Sequence, residues 1–415
     1  MKSNKKEYLR QTFISFILLA VIMSVSLPIE NFIQKQQKPT RLINASSEIN
    51  PDLLWKTDLG GIVSSLELSA NGDSMAIWLL EKKLYYFETS SSIPVWNNDS
   101  VGDGAYMSEN GEYLVSGKIN EYLYFFKYTD SNPIKTYYPT SAYDIDISGD
   151  GQYFVYCGSD SSLYNRTAKV RSYQLESDAY TVDMSNDGNY IVVGSENGKL
   201  FLFDRTQSEP IWSFTANAEI SSVSISSDGQ YIAARSQSNK LYLFNNTNSL
   251  WNYTFSETYG SVKISNDGEC VVSEAGDTLF LFHISSSNPL WSYKTKDSIH
   301  SYDISGDGNY ILMGEEYDDG MFFFEKSSST PIKGFATGMH GVKVEICTDG
   351  DYFAVGNRHG DLFLFSTTGG AEDDSDDTDK PFITGYNIIL LSTVSLTGIV
   401  IVILLKRSTL LKNRE

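Results

Sequence analysis

The chain has 415 residues, with 32 Lys and Arg against 52 Asp and Glu, a formal net charge of −20. Hydrophobic residues at 41% and aromatics at 13% exclude a disordered chain, and the acidity argues against a duplex nucleic-acid binder, which needs a basic footprint. Three cysteines exclude a disulfide-stapled fold, and four histidines leave little material for a multi-histidine metal site.

The N-terminus carries Lys2, Lys5, Lys6 and Arg10 ahead of an apolar run from Phe13 to Leu27, with the small pair Ser24 and Ser26 at its end. This order is that of a secretory signal. Residues 1–27 are therefore expected to be a signal peptide or a retained signal anchor, and 28–50 a linker. Either form exports the segment after it.

The middle, 51–368, is periodic. A polar-Gly turn recurs at Asn71-Gly72, Asn110-Gly111, Asp150-Gly151, Asp187-Gly188, Asp228-Gly229, Asp267-Gly268, Asp307-Gly308 and Asp349-Gly350. The glycines are 39, 40, 37, 41, 39, 40 and 42 residues apart. Asn-Gly and Asp-Gly supply the positive φ of a tight turn. In the unit around Gly229, strands are expected at 220–226, 231–235, 241–244 and 250–255. A third-strand Leu lies 12 residues after the turn Gly in six units, Leu163 among them, which puts Arg166 in a slot that is Phe elsewhere. Trp55, Trp96, Trp212, Trp251 and Trp291 mark fourth strands, and Pro94, Pro133, Pro210, Pro289 and Pro331 open five of them. Pro lacks an amide donor and suits an outer edge.

A four-stranded unit of about 40 residues, repeated, is a β-propeller blade. Eight units are present. A fourth-type strand at 52–58 precedes the first complete hairpin, and nothing similar follows Phe365. The expected fold is an all-β, eight-bladed propeller whose N-terminal strand completes the last blade, followed by a C-terminal transmembrane helix.

Five residues before each turn Gly stand Glu67, Tyr106, Asp146, Asp183, Ser224, Lys263, Asp303 and Glu345. Strand alternation puts them on one side of their strands. If the first strand is innermost they approach the channel, where their carboxylates would attract a cation or basic peptide. The plainer reading makes them solvated or inter-blade hydrogen-bonding positions. His300 and His340 both open first strands and are a second channel pair, with two unrelated loop histidines as the plainer reading. Cys157, Cys270 and Cys347 are far apart and read as small buried residues. No Gly-x-Ser-x-Gly elbow, phosphate loop or His-Glu-x-x-His motif occurs. No catalytic residue, metal or cofactor is expected. Sequons at Asn44, Asn98, Asn165, Asn245 and Asn252 are compatible with export.

The stretch 369–381 holds six carboxylates between Glu372 and Asp379 and should be a solvated stalk. Residues 382–405 are uncharged and, at about 1.5 Å per residue, long enough to span a bilayer as a helix. Lys406, Arg407, Lys412 and Arg414 lie in a basic tail, 406–415. Positive residues beside a span stay in the cytoplasm, so the propeller is expected outside a cell membrane crossed once.

These residues carry two resemblances. The segment 226–234 with Leu241-Tyr242-Leu243-Phe244, and 186–195 with 200–204, resemble WD40 repeats. The Trp-Asp dipeptide and the Gly-His pair of that family are absent. The Pro-Ile-Trp and Pro-Leu-Trp strands are more similar to quinoprotein (PQQ-type) repeats, whose propellers commonly have eight blades. Quinoprotein dehydrogenases use adjacent cysteines, and this chain has none. The order of signal, domain, acidic stalk, span and basic end resembles anchored surface proteins of archaea and bacteria, and 381–386 is similar to short motifs before archaeal tails. Together these imply an extracellular scaffold binding a protein or peptide ligand at the propeller face. The alternatives are an exported quinoprotein-like or hydrolase-type enzyme and an envelope-assembly scaffold.

Overall fold

The computed structural model describes residues 51–99, 101–117, 122–139, 142–258, 260–317, 320–336, 341–368, 386–395 and 398–407. Two compact units divide at Gly369 and Gly370. The expected signal (1–27), linker (28–50) and stalk (369–381) lie outside the described residues.

The first unit is eight four-stranded antiparallel sheets, as expected. Seven are consecutive in the chain. The eighth joins Lys343–Ile346, Tyr352–Gly356 and Asp361–Ser366 to the N-terminal strand Asp52–Asp58, which pairs with Asp361–Ser366 as the outermost strand. We number blades 1 to 8 from the one that begins at Val63. Their first strands are Val63–Leu68, Tyr106–Met107, Asp144–Ile147, Ala179–Met184, Ile220–Ile225, Val262–Ile264, Ile299–Ile304 and Lys343–Ile346. Each first strand contacts the next, and the first contacts the eighth, so these strands line the channel.

The repeat is built on one turn, Ser-x-Asx-Gly. The Ser hydroxyl oxygen accepts the amide of the residue five positions on at 3.0 Å in the first seven blades. The same hydroxyl donates to the Asx side chain, whose oxygen caps the amide two residues later. Blade 8 has Cys347 in the Ser slot, with Sγ taking the Tyr352 amide at 3.1 Å. Only the glycine of each turn, not its Asx, takes a positive φ. A second demand fixes the glycine: a Cβ on Gly229 would lie 2.3 Å from the Tyr190 ring of the preceding blade.

The core lies in the seams. Each hydrophobic cluster draws on two neighbouring blades; Val63, Met75 and Ile77 of blade 1 pack with Ala354, Leu362 and Leu364 of blade 8. Full burial of such a side chain contributes about 1.5–3 kcal/mol. At the rim the half-buried tryptophans latch one blade to the next. The Nε1 groups of Trp55, Trp96, Trp212, Trp251 and Trp291 donate to the carbonyls of Thr89, Tyr128, Asn246, Ile284 and Lys326. In blade 3 the Arg171 Nε takes this role, donating to Arg205.

One expectation needs correction, the register of blade 3. Tyr153 pairs with Asn165 as Tyr190 pairs with Asp204, so Tyr164 fills the slot of Phe203. The loop 158–160 is two residues shorter, and a fixed count from the turn glycine misplaces Leu163 by one alternation. Arg166 thus matches Arg205. Both guanidinium groups cover a tyrosine of the preceding blade, Tyr113 at 3.8 Å and Tyr153 at 4.2 Å.

The C-terminal run 382–405 is expected from the sequence as a helix. Its described residues are two antiparallel strands, Tyr386–Ser395 and Gly398–Arg407. No helix among the described residues is long and apolar enough to cross a membrane. Five consecutive β-branched residues, Ile399 to Ile403, favour extended backbone. Residues 382–385, 396–397 and 408–415 lie outside the described residues.

Candidate functional site

The channel is built in tiers because alternate residues of each first strand face it. The expected ring residues occupy one tier, and most of them lock blade to blade. Asp146 Oδ2 accepts the Met184 amide at 2.7 Å, and Asp183 Oδ2 accepts that of Ile225 at 2.8 Å. Ser224 accepts from Ile264, and Asp303 from Ile346 at 2.8 Å. Two residues earlier in each strand a second tier repeats the device. Asp144, Thr181, Ser222 and Ser301 accept the amides of Val182, Val223, Val262 and Val344.

A third tier closes the turn end. The variable residue of each Ser-x-Asx-Gly turn joins a closed circle of eight backbone hydrogen bonds. The acceptors are the carbonyls of Glu109, Gly149, Asn186, Ser227, Asn266, Gly306, Thr348 and Ala70 in turn; the variable residue's own amide donates in six blades, and the Asx amides of Asn110 and Asp267 donate in blades 2 and 6. The Glu109 carboxylate bridges this circle from blade 2, accepting from Asn186 of blade 4 and from Asn266 of the opposite blade 6. Burial pushes the Glu109 carboxyl up, opposed by these two amides. Sequence reasoning missed this tier, although the fixed place two before each turn glycine was there to be read.

Blades 6, 7, 8, 1 and 2 enclose a cavity of about 520 Å³ that reaches the other end of the channel. Glu67, Tyr106, Lys263, His300, Lys343 and Glu345 line it. Lys263 Nζ bridges Asp303 Oδ1 at 2.7 Å and Glu345 Oε2 at 3.5 Å, with its side chain 41% exposed. Burial alone would disfavour its ammonium, but these carboxylates more than offset that and hold its pKa up. Burial pushes Glu67 up to about 8, against the pull of Lys263, and Asp144 up to about 6. Burial and then the charge of Asp303 hold Glu345 well above the carboxylate range; burial and then Asp183 do the same for Asp146. Burial therefore raises the pKa of several channel carboxylates, while Asp303 and Glu345 still pair with the Lys263 ammonium.

His300 sits at the mouth with Nδ1 against Glu316, which also accepts from Arg358. Burial and then the Lys343 charge lower its pKa. His340 lies outside the described residues, so the histidine pair is not assembled among them. The cysteines are free and buried in different blades. Among the described residues no three His, Cys, Asp or Glu side chains converge as a metal site.

The WD40 model (WD domain, G-beta repeat) matches residues 169–204 and 208–245, which span the outer strand of blade 3 to the third strand of blade 5. No curated protein matches the sequence. Among solved structures, the β-propeller domain of Cps50 (Swd1) from Myceliophteria thermophila is similar with a TM-score of 0.55. It is 12% identical over 76% of this chain and 99% of that one, a likeness of fold alone. The chain is an eight-bladed β-propeller, two segments of which, 169–204 and 208–245, match the WD40 repeat model.

Proposed function

We propose that this propeller is a scaffold that binds a protein partner on the face around the channel mouth, opposite the closed turn circle. One observation carries this reading. Among the described residues, all the strongly exposed tyrosines lie at that face: Tyr138 at 74%, Tyr317 at 56%, Tyr122 at 46% and Tyr143 at 38%. Tyr122 and Tyr138 pack edge to face with ring centroids 4.9 Å apart. Tyrosine contributes a large contact area at low entropy cost and is enriched in interface centres. A ring closed by inter-blade bonds holds the loops that carry them in fixed positions. Pull-down from native membranes with the full chain should recover a partner. Replacing the four tyrosines with Ser should abolish capture, whereas Glu112→Ala with Gln230→Ala on the turn face should not. Turnover of a sugar, alcohol or peptide that one channel Asp substitution abolishes would instead support the enzyme reading.

The same proposal places the propeller outside a membrane, attached through 382–405 and exported by 1–27. An isolated hairpin in hydrocarbon leaves two open edges of unpaired backbone groups, so the run would insert as a helix, whose amides are all paired. Protease added to intact cells should degrade the propeller and spare the last residues. Protection of the propeller would refute this placement.

A further inference from the structure

One reading of the inward carboxylates makes the channel a cation site, but its pairing pattern points to the opposite charge. Among the described residues, Lys263 is engaged by Asp303 and Glu345, and Arg358 by Glu316. Lys343 alone of these cations has no ion-pair or hydrogen-bond partner among the described residues. It is half-buried, faces inward from the first strand of blade 8, and lines the 520 Å³ cavity. Burial and then the charge of Lys263 lower its pKa, Arg358 acts in the same sense, and Glu316 and Glu345 favour its ammonium. His300 stands beside it at the mouth. Glu316 is already shared between Arg358 and His300. The side of the cavity formed by blades 7 and 8 therefore presents an ammonium without a counter-ion among the described residues.

Deeper in the cavity, Glu67 and Tyr106 also lack a hydrogen-bond partner among the described residues. A protonated Glu67 and the phenol are hydrogen-bond donors. Burial holds both in their neutral forms. The Glu109 bridge obstructs the far end, so a ligand enters from the mouth.

We propose that this cavity binds a carboxylate group, with Lys343 as its counter-ion and the Glu67 and Tyr106 hydroxyls as further donors. An acidic side chain of a docked protein and a free small dicarboxylate share this chemistry. The first source rests on the scaffold reading above; the second does not. An ammonium short of a partner in a half-buried position gains more from an anion than a surface lysine does, because the local dielectric is lower.

The test is calorimetric titration of the full chain in detergent with succinate, with an acetylated tetraglutamate peptide and with tetralysine. Saturable binding of succinate or tetraglutamate is expected. It should weaken at least tenfold in Lys343→Met, stay within threefold in Lys343→Arg, and be unchanged in the exposed loop variant Lys296→Met. Cooperative thermal unfolding of each variant establishes that it is folded. Preference for tetraglutamate assigns the site to a partner's acidic side chain, and equal or better binding of succinate to a free metabolite. Anion binding that Lys343→Met leaves intact, no saturable anion binding, or tetralysine binding lost in Glu67→Gln would each overturn the proposal. Native partner capture that persists in Lys343→Met without anion binding leaves the scaffold reading standing and removes the carboxylate site.

Discussion

At the residue scale, the inward side chains of the first strands act mainly as fasteners between blades. Asp303 is 5% exposed, accepts the Ile346 amide and pairs with Lys263. Asp303→Ala leaves a buried amide unsatisfied and an ammonium without its nearer partner. A loss of about 2–3 kcal/mol is expected in denaturant unfolding, discounted because Lys263 keeps access to channel water. The glycines separate two causes that are usually confounded. Gly60 has φ of +70° with open space around its Cα, while Gly229 has φ of +72° with the Tyr190 ring against it. Gly60→Ala should cost about 1 kcal/mol, from backbone conformation alone. Gly229→Ala should cost clearly more, and restoring the space with Tyr190→Ser in the double variant should recover part of the difference. Equal losses at the two sites would refute the close-approach argument.

At the scale of the element, the outer strand is the part that holds neighbouring blades in register. Trp212 donates its indole N–H to Asn246 O at 2.8 Å and packs against Phe244 with centroids 5.3 Å apart. Trp212→Phe keeps most of the packing and loses the donor, so about 1 kcal/mol is expected in thermal or denaturant unfolding. The strand Asp52–Asp58 has a larger task, since its pairing with Asp361–Ser366 completes the ring without a covalent bond. Removing residues 51–59 should expose Phe363, Leu364 and Phe365 along an open edge. The expected outcome is loss of the cooperative transition or self-association by added strands, read by calorimetry and light scattering. Most of these elements were legible in the sequence, because the turn and the alternation of apolar residues repeat with nearly fixed spacing. Blade 3 was not, since a two-residue shortening between its second and third strands shifts register without changing the type of residue seen.

For the whole molecule, the acidity has a consequence for stability that the net charge alone does not give. The buried carboxylates have folded pKa values above their unfolded ones, with Asp144 at about 6 and Glu67 at about 8. The folded state then binds more protons than the unfolded chain between about pH 4 and 8. Stability from these groups is present at the acid end of that window and declines as pH rises through it. His300, whose pKa is lowered, works in the opposite sense below its ordinary value. Calorimetry should therefore show a higher unfolding temperature at pH 5 than at pH 8, and Glu67→Gln should flatten the decline. A protein less stable at pH 5 than at pH 8 would refute the raised carboxylate pKa values in the channel.

The sequence by itself determined the eight-bladed ring and its closure by the first strand. Those features come from a repeated local pattern, and a repeat that cannot bury its faces alone must stack on its neighbours. It also placed the ring of inward residues, which depends only on alternation along a strand. Only the tertiary structure decided what those residues do. Whether a carboxylate keeps its charge depends on its burial and on groups a blade or more away in the chain, as with Asp146 and Asp183 or Lys263, Asp303 and Glu345. The Glu109 bridge to Asn186 and Asn266 arises in the same way, as does the Lys343 ammonium left unpaired among the described residues. Both come from residues that meet across a channel, where chain spacing carries no information about who their partners are.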